Sequence, residues 1–373
     1  MPTRRQFIHQ LSIAGSLGLA ACAGLNPLRA FAASEDEWFM PDEGERQRHA
    51  WIAFGAQEAI WEDFTGDVQE ALGRIARAIA RFQPLTVLCR SEERELAEEL
   101  CGGSNVRFIE TALDDIWMRD IGANFLVTED GSELTALDFN FNGWGNKQRH
   151  ARDARIAALM AAEVGARHLR SELVGEGGGI EVDGHGTAIM TESCWVNDNR
   201  NPGWSRAQVE AELKDCLGLR KIIWLPGIRG QDITDAHVDF YARFVRPGVV
   251  VANLDTDPES YDHAVTQRHL EILRNATDAD GRKLEVHLLS PPLKPRKSRF
   301  NRDNPDFAAG YINYFVINGA VLMPQFGDAA ADGKARGLLE ELYPDREVVA
   351  LDIDAIAAGG GGIHCVTHQL PWV

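Results

Sequence analysis

The feature of this sequence that most constrains its fold is a local order that recurs about five times: a β-hairpin, a helix and then a single strand. Two apolar runs at 123–128 and 134–140, for example, flank turn-forming residues at 129–131. Units of roughly 50 to 75 residues that bury their faces against neighbouring units are typical of an array. A radial arrangement lets every unit bury its faces in this way. The order predicts an α/β fold of about five units around a central channel. A non-repeating α+β domain is the alternative.

The spacing of apolar residues places the elements of these units. It predicts helices at 67–82, 92–100, 155–163, 205–217, 261–275 and 334–342, with Ser205 and Gln208 as a capping box. It predicts strands at 48–54, 85–89, 106–110, 123–128, 134–140, 180–182, 187–191, 222–225, 240–245, 249–253, 284–289, 313–316, 320–323, 348–351 and 366–371. Residues 34–42 read as a linker, and no later stretch of linker composition divides the chain. We therefore expect a single domain over 34–373.

Residues 1–33 have the features of an export signal and are set apart from the fold. Thr3-Arg4-Arg5-Gln6-Phe7-Ile8 resembles a twin-arginine motif, and the apolar run at 11–21 is too short to span a bilayer. Leu19-Ala20-Ala21-Cys22 resembles a lipobox, in which Cys22 would be lipidated, whereas Ala30-Phe31-Ala32 is a site for ordinary cleavage. Both endings predict a bacterial protein exported by the twin-arginine route, either periplasmic or lipid-anchored in the cell envelope.

Charge and cysteine content narrow the class of partner. The chain has 38 Lys and Arg against 56 Asp and Glu, a formal charge of −18. This balance argues against nucleic acid and favours a cationic small molecule, although acidic surfaces also serve solubility. Beyond Cys22 five cysteines remain, with no C-x-x-C pair, so neither a structural zinc nor a full set of disulfides is expected. A membrane contact is expected only through a lipid anchor, and pairing of Cys89 with Cys101 stays open, as does the oligomeric state.

Reactive and charged residues stand just before the predicted hairpins. In a radial array these turns meet in one channel, which would collect the following residues: Asp120, Glu176, His237, Asp239, Asn313 and Cys365. The set contains a nucleophile, an acid/base and carboxylates, which suits covalent catalysis on a cation. Glycines 359–362 place Cys365 on a tight turn, where backbone N–H groups are expected to hold a thiolate and lower its pKa. A flexible loop beside a structural cysteine is the alternative.

Other interpretations of these residues remain open from the sequence alone. His237 and Asp239 would lie on one face of a predicted strand, where metal ligation is conceivable. Cys365 and His368 together supply only two ligands, so no metal is expected there. Asp120, taken by itself, is the kind of residue that forms a surface salt bridge, and Trp144 is interpreted as a wall of the pocket rather than core.

Seven motifs, in order from about residue 40 to the end, carry a resemblance to a known family. They are 117–122 (WMRDIG), 141–147 (FNGWGNK), 176–179 (EGGG), 234–239 (TDAHVD), 311–315 (YINYF), 326–328 (FGD) and 360–365 (GGGIHC). Together they resemble the agmatine deiminase family, which includes the bacterial peptidylarginine deiminases and belongs to the wider guanidino-group-modifying superfamily. The resemblance implies a pentein-like, five-bladed pseudo-symmetric α/β propeller with the active site in the central channel.

The resemblance also implies roles for individual residues. Cys365 would attack the guanidinium carbon, and His237 would protonate the departing ammonia and then activate water. Asp120 and Asp239 would bind the guanidinium, and Glu176 would orient His237 or assist binding. Further substrate-binding residues would be Trp117, Trp144 and Asn313. No metal or organic cofactor is implied.

The identity of the substrate is left between two guanidines. Residues 142–147 resemble the agmatine branch, which predicts conversion of agmatine and water to N-carbamoylputrescine and ammonia, whereas export favours peptidyl arginine. Lys147 and Arg149 could receive the carboxylate of an arginine substrate. Ala123 and Ala236 stand where Pro and Gly are usual in the family, which leaves the chemistry intact but puts the channel shape in doubt. A non-catalytic binding protein for cationic solutes is the alternative of a different class.

Overall fold

The computed structural model describes residues 38–373 of the chain. This part contains five β-sheets with a common strand arrangement. Each sheet contains an antiparallel pair of strands, and a further strand runs parallel to the second member of that pair. The crossover to the parallel strand includes a helix in every sheet, as such connections require. The predicted order of hairpin, helix and strand is therefore confirmed, and with it the α/β class. The predicted export signal at 1–33, including Cys22, lies outside the described residues.

The strands are short and together supply the five sheets. They are β1 Trp38–Phe39, β2 Gln47–Phe54, β3 Leu85–Cys89, β4 Val106–Glu110, β5 Asn124–Thr128, β6 Leu134–Asp138, β7 Arg167–Arg170, β8 Glu181–Val182, β9 Thr187–Thr191, β10 Lys221–Leu225, β11 Ala242–Arg246, β12 Val249–Asn253, β13 Glu285–Leu289, β14 Phe315–Ile317, β15 Ala320–Gln325, β16 Glu347–Asp352 and β17 Thr367–Pro371. The strand orders are β1-β5-β6-β7, β10-β9-β8, β11-β12-β13, β14-β15-β16 and β17-β2-β3-β4.

Helices connect the strands. The α-helices are α1 Glu58–Trp61, α2 Thr65–Ala80, α3 Arg94–Cys101, α4 Met118–Ile121, α5 Gly143–Asn146, α6 Ile156–Val164, α7 Glu192–Trp195, α8 Arg206–Leu217, α9 His263–Asn275, α10 Ala329–Leu342 and α11 Asp354–Ala357. Single 3₁₀ turns occur at Glu62–Phe64, Ser91–Glu93, Asp153–Arg155, Gly177–Gly179 and Val238–Phe240. Between residues 38 and 373, none of the helices has both the length and the apolar content needed to cross a membrane.

The predicted elements agree with the structure apart from their ends, but two strands and the five four-residue helices α1, α4, α5, α7 and α11 were not predicted. All six predicted helices are present, and α8 begins with the predicted capping box between Ser205 and Gln208. The prediction missed β7, whose sequence RHLR is too polar to signal a strand. It also took 34–42 for a linker, whereas Trp38 and Phe39 pair with β5 in antiparallel register.

The last strand closes on the first part of the domain. β17 pairs antiparallel with β2, with Thr367 opposite Ile52 and Leu370 opposite His49. The central residues of β2 are fully buried, and α2 packs its apolar face against this sheet. Burying each large apolar side chain contributes about 1.5–3 kcal/mol. This sheet therefore fixes β17, and the residues just before it, against the rest of the domain.

Candidate active site

A cavity of about 820 Å³ opens into the domain, and six of the predicted site residues line it or its floor. They are Trp117, Asp120, Trp144, His237, Asp239 and Cys365. Two others do not line it. Glu176 lies behind His237, and Asn313 lies behind Cys365. That Asn313 contacts the substrate stays a prediction, since the hydrogen bonds described for its amide go to Cys365 and to the Asp239 carbonyl.

Cys365 is held from both sides by Asn313. The Asn313 Oδ1 atom accepts a hydrogen bond from the Cys365 backbone N–H at 3.3 Å, and its Nδ2 donates to Cys365 Sγ at 3.3 Å. Sγ also lies 3.6 Å from Oδ2 of Asp239. The side chain is only 7% exposed, so the thiol reaches the cavity but little else.

The glycines before Cys365 are needed mainly for close approach. A Cβ atom at Gly361 would lie 2.1 Å from the Trp117 ring, and one at Gly362 would lie 2.4 Å from Asn313 Oδ1. Only Gly360, at φ +85°, has a left-handed backbone. The run of glycines thus lets the backbone pass directly against a cavity wall and against the amide that holds the thiol.

The electrostatic setting of Cys365 opposes a thiolate in the free protein. Burial and the nearby carboxylates of Asp239 and Asp120 raise the pKa of Cys365 well above its usual value. Hydrogen bonds from Gly362 and Asn313 act in the other direction but are outweighed. The turn does act to lower this pKa through the Gly362 N–H, as expected, but burial and the two carboxylates raise the pKa by more.

The sequence had suggested that His237 and Asp239 lie on a strand, but in the structure they do not. Asp235 and Ala236 have φ values of +61° and +70°, and His237 then begins a 3₁₀ turn at Val238–Phe240. The left-handed pair reverses the chain, so that both side chains reach the cavity from a turn. The glycine that is usual in the family at this position would adopt the left-handed conformation freely, whereas Ala236 adopts it at an energetic cost.

His237 lies between two carboxyl groups. Its Nε2 is 3.2 Å from Glu176 Oε2, and its Nδ1 is 3.7 Å from Asp120 Oδ1. Burial alone would lower the pKa of His237, but the Asp120 charge and hydrogen bonds to Cys194 and Glu176 raise it well above its ordinary value. These neighbours therefore favour the protonated imidazole, with Nδ1 on the side of Asp120 and Nε2 on the side of Glu176.

Asp239 has one oxygen bound and one free. Its Oδ2 lies 2.8 Å from His364 Nδ1, whereas its Oδ1 is buried without a hydrogen-bond partner. Burial raises the pKa of Asp239, but the hydrogen bond and charge of His364, followed by His237 and Arg243, lower it below its ordinary value. This unpaired carboxylate oxygen can accept a hydrogen bond from a bound ligand.

Asp120 is not a surface salt-bridge residue but is buried at the cavity floor. Its Oδ2 accepts a hydrogen bond from Trp144 Nε1 at 2.8 Å, and its Oδ1 accepts one from the Gly178 N–H at 3.0 Å. Burial raises the pKa of Asp120, and so do the charges of Glu176 and Asp239. The charge of His237 acts in the opposite direction, and the pKa of Asp120 is raised to about 6. A Cβ at Gly178 would lie 2.5 Å from His237 Nδ1, which explains the glycine.

The sequence also resembles a known group of proteins along nearly its whole described length. A family model described as Porphyromonas-type peptidyl-arginine deiminase matches residues 39–371. The chain belongs to this family.

Individual members of this deiminase family resemble the chain closely. It is 42% identical over 342 residues to a Streptomyces coelicolor protein whose description as an agmatine deiminase is provisional, covering 89% of this chain and 98% of that one. It is 35% identical to the agmatine deiminase of Stutzerimonas stutzeri, covering 90% and 96%. The solved agmatine deiminase of Enterococcus faecalis has a TM-score of 0.84 at 29% identity, covering 94% of this chain and 99% of that one.

Several charged residues behind the site of this deiminase-family chain were missed by sequence reasoning. Glu43 accepts hydrogen bonds from Arg119 and Arg243, and its Oε2 lies 2.9 Å from His364 Nε2. Arg200 binds both oxygens of Glu176. Glu43 fell between the supposed linker at 34–42 and the strand predicted at 48–54, and Arg200 fell in an unremarkable polar stretch. An isolated charge gives no sign in sequence that it is buried and paired.

One group of side chains within residues 38–373 brings three metal-ligand atoms within 4.8 Å of one another: Glu176, Cys194 and His237. The Arg200 guanidinium, with Nε 2.9 Å from each Glu176 oxygen, already neutralises that carboxylate. A divalent cation would meet this fixed positive charge at short range, so the donor set does not fit a metal. His368, considered as a second ligand beside Cys365, instead places Nδ1 3.0 Å from the Gln369 carbonyl and is not part of the cavity lining.

Proposed function

We propose that this protein is a hydrolase of guanidino C–N bonds that converts agmatine and water to N-carbamoylputrescine and ammonia. The observation that carries the proposal is the charge of the cavity around Cys365 and His237. Eight carboxyl side chains line it: Glu62, Asp115, Asp120, Asp232, Asp239, Asp255, Asp262 and Asp306. Of the described residues that line it, none is Lys or Arg. Such a cavity favours a ligand that is cationic at both ends.

The guanidinium binds first, between the two buried carboxylates. Asp239 Oδ1 accepts an N–H of the planar cation, and Asp120 accepts N–H groups from its other side. These bonds place the guanidinium carbon over Cys365 Sγ, which lies 3.6 Å from Asp239 Oδ2. The bound cation offsets the charges that raise the pKa of Cys365, so the thiolate forms when substrate is present.

Two half-reactions follow. The Cys365 thiolate forms an S–C bond to the guanidinium carbon, and the His237 imidazolium gives a proton to one amino group, which leaves as ammonia. A covalent S-alkylthiouronium remains. Neutral His237 then takes a proton from a water molecule that adds to the same carbon, and the C–S bond breaks to release the ureido product. The Cys365 sulfur leaves as thiolate, the proton that remains on the ureido oxygen passes to solvent, and His237 is again protonated.

The residues proposed to receive a substrate carboxylate are engaged elsewhere. Lys147 Nζ binds Asp235 Oδ2 at 2.7 Å and the Ile233 carbonyl at 2.9 Å. Arg149 pairs with Asp114 at 3.3 Å. Neither lines the cavity. This charge distribution supports agmatine over free arginine, whose carboxylate would meet only acidic groups.

Peptidyl arginine is the second candidate, and the size of the cavity favours it. A volume of about 820 Å³ lies near the upper end for small-ligand sites and exceeds what agmatine fills. A peptide also lacks the free carboxylate that the lining disfavours.

The test is ammonia and ureido product formation by purified residues 34–373, with agmatine and a blocked arginine peptide side by side. Turnover of agmatine supports the first proposal, and turnover of the peptide alone replaces it with the second. A Cys365→Ala variant separates enzyme from binding protein, since it abolishes ammonia release in an enzyme. Agmatine binding without any release by the wild-type chain would favour the binding protein.

The five sheets support a further architectural proposal, a pseudo-symmetric five-bladed propeller with this cavity as its channel. All five share one plan, and the sheet that contains β17 also contains β2. Radial placement is the arrangement in which each such unit packs on two neighbours. A crystal structure of residues 34–373 tests it directly, and an open or stacked arrangement of sheets would overturn it.

The export signal remains a proposal from sequence alone. Fractionation of cells carrying the full chain tests it, with Arg4→Lys and Arg5→Lys together expected to leave the protein in the cytoplasm. A Cys22→Ala variant then decides between lipidation at Cys22 and ordinary cleavage after residue 32, because only a lipidated protein would lose its membrane association. Unchanged export of the double lysine variant would contradict the twin-arginine route.

A further inference from the structure

We propose that Arg200 is a positioning residue for the deimination: it holds Glu176 ionised against His237 and clamps the strained turn that presents His237. The inference rests on the proposed function, because it concerns the general acid of that reaction. Arg200 does not touch the cavity and therefore does not meet substrate. Its whole effect passes through two neighbours.

The first neighbour is Glu176, which is fully buried and would be costly to ionise alone. Arg200 Nε lies 2.9 Å from each of its oxygens. Burial raises the pKa of Glu176, but the Arg200 charge and then His237 lower it below its ordinary value. Glu176 therefore keeps the negative charge that faces His237 Nε2 at 3.2 Å.

The second neighbour is the turn before His237. Arg200 Nη1 donates to Asp235 Oδ2 at 2.8 Å, and Nη2 donates to the Thr234 carbonyl at 2.9 Å. Asp235 and Ala236 both have left-handed backbones, a conformation that needs support from outside the turn. One planar guanidinium thus fixes the carboxylate and the turn at once, a fork geometry that lysine lacks.

His237 faces further titratable groups, none of which accepts a hydrogen bond from Arg200 in the described chain. These groups are Asp120 on α4, Cys194 on α7 and Asp239 two residues along its own turn. Asp120 and Glu176 favour the imidazolium, and Arg200 is the cation that compensates Glu176. Loss of Arg200 allows Glu176 to take up a proton, and His237 then loses one of its two anionic neighbours.

Lys147 provides a matched control. Its Nζ binds the same Asp235 Oδ2 at 2.7 Å but makes no contact with Glu176. Lys147→Gln therefore removes one cation from the turn and leaves Glu176 with Arg200. An effect common to both variants reflects the turn alone, whereas an effect confined to Arg200 variants passes through Glu176.

The experiment follows the His237 ring by NMR in protein with labelled histidine, with the signal assigned by its loss in His237→Asn. In Arg200→Gln we expect the titration midpoint of His237 to fall by at least one pH unit, and in Lys147→Gln by less than 0.3. With agmatine, kcat should fall at least tenfold in Arg200→Gln with KM within threefold, and the alkaline limb of the pH profile should move down with the midpoint.

Arg200→Lys guards against misfolding, since it keeps the charge and loses the fork. We expect it to fall between the wild type and Arg200→Gln in both readouts. An unchanged His237 midpoint in either Arg200 variant, or an equal loss of kcat in Lys147→Gln, would overturn the proposal. The NMR midpoint needs no turnover, so an inactive wild type would refute the proposed function without deciding the role of Arg200.

Discussion

The Nδ1 atom of His364 lies 2.8 Å from Oδ2 of Asp239, so the residue next to the nucleophile is bound to a carboxylate of the cavity floor. The other ring nitrogen of His364 is 2.9 Å from Glu43, which also binds Arg119 and Arg243. Asp239 is thereby held through one oxygen, and its other oxygen is left without a partner. Replacing His364 with Ala should raise the pKa of Asp239 and loosen its side chain.

We expect His364→Ala to weaken agmatine binding at least tenfold at pH 7, because Asp239 loses its main hydrogen bond. The measurement is calorimetric titration in a Cys365→Ala background, where substrate is not consumed. His368→Ala, which removes a buried imidazole outside the cavity lining, is the control. Equal affinity in the His364 variant and its parent would contradict this account of Asp239.

The ionised Asp120 side chain should lower the free energy of unfolding, although it is needed to bind agmatine. Its pKa is raised to about 6, whereas an unfolded chain ionises near 3.9, so the native state holds the extra proton between these values. Stability therefore falls as pH rises from about 4 to 6, by on the order of 3 kcal/mol. Asp120→Asn should remove that loss at pH 8, seen as a higher urea midpoint, and reduce kcat/KM for agmatine at least 100-fold.

The same pKa sets a pH dependence of binding. Below pH 6 Asp120 is protonated and accepts guanidinium N–H bonds poorly, so the Kd of agmatine should rise up to tenfold per pH unit. Above pH 7 this dependence should vanish. Calorimetry on Cys365→Ala from pH 5 to 8 checks it, and a pH dependence that persists in Asp120→Asn would show that another group controls binding.

The reactivity of Cys365 should depend on the charge of the reagent. Because burial, Asp239 and Asp120 raise the pKa of Cys365, neutral iodoacetamide should alkylate it slowly at pH 7. A haloacetamidine, whose amidinium can pair with Asp239, should react at least 100-fold faster relative to its rate with glutathione. Mass spectrometry locates the adduct among the five cysteines of the described chain, all of which are buried and unpaired. Equal relative rates would argue against a carboxylate-controlled thiol.

Two neighbouring glycines should respond differently to the same substitution. Gly361→Ala places a methyl group 2.1 Å from the Trp117 ring, so the cavity wall must move, and kcat/KM should fall more than tenfold. At Gly360 the nearest atom is 3.6 Å away and the cost is mainly the left-handed backbone, about 1–2 kcal/mol of stability. Gly360→Ala should therefore unfold earlier in urea yet keep activity within threefold. Similar losses of activity in both would mean that backbone strain, not contact, governs the turn.

Local chemistry explains which parts could be predicted. The capping box at Ser205 and the hairpin turn at Gly131, with φ +68°, depend on residues a few positions apart, so their signals are written in one short stretch. The turn at 235–236 was misjudged for the opposite reason. Asp235 and Ala236 are left-handed because distant side chains hold them, and no local propensity announces that conformation.

Long-range pairing accounts for the rest. Glu43 and His364 are 321 positions apart, and Arg119 and Cys365 are linked through a backbone hydrogen bond of 3.0 Å. Site residues with their own motif, such as His237 and Cys365, could be proposed from sequence. Glu176 could be proposed as a support of His237 through its own motif, but Arg200 and Glu43 could not, because they are single charges whose burial only the fold reveals.

The pairing of β17 with β2 has a consequence for biosynthesis. Among the described strands β17 is translated last, and Cys365 stands two residues before it. Until β17 has been made, β2 lacks its antiparallel partner, and the residues just before β17, Cys365 among them, are not yet fixed by that pairing. Nascent chains therefore hold no assembled reaction centre before β17 has paired with β2.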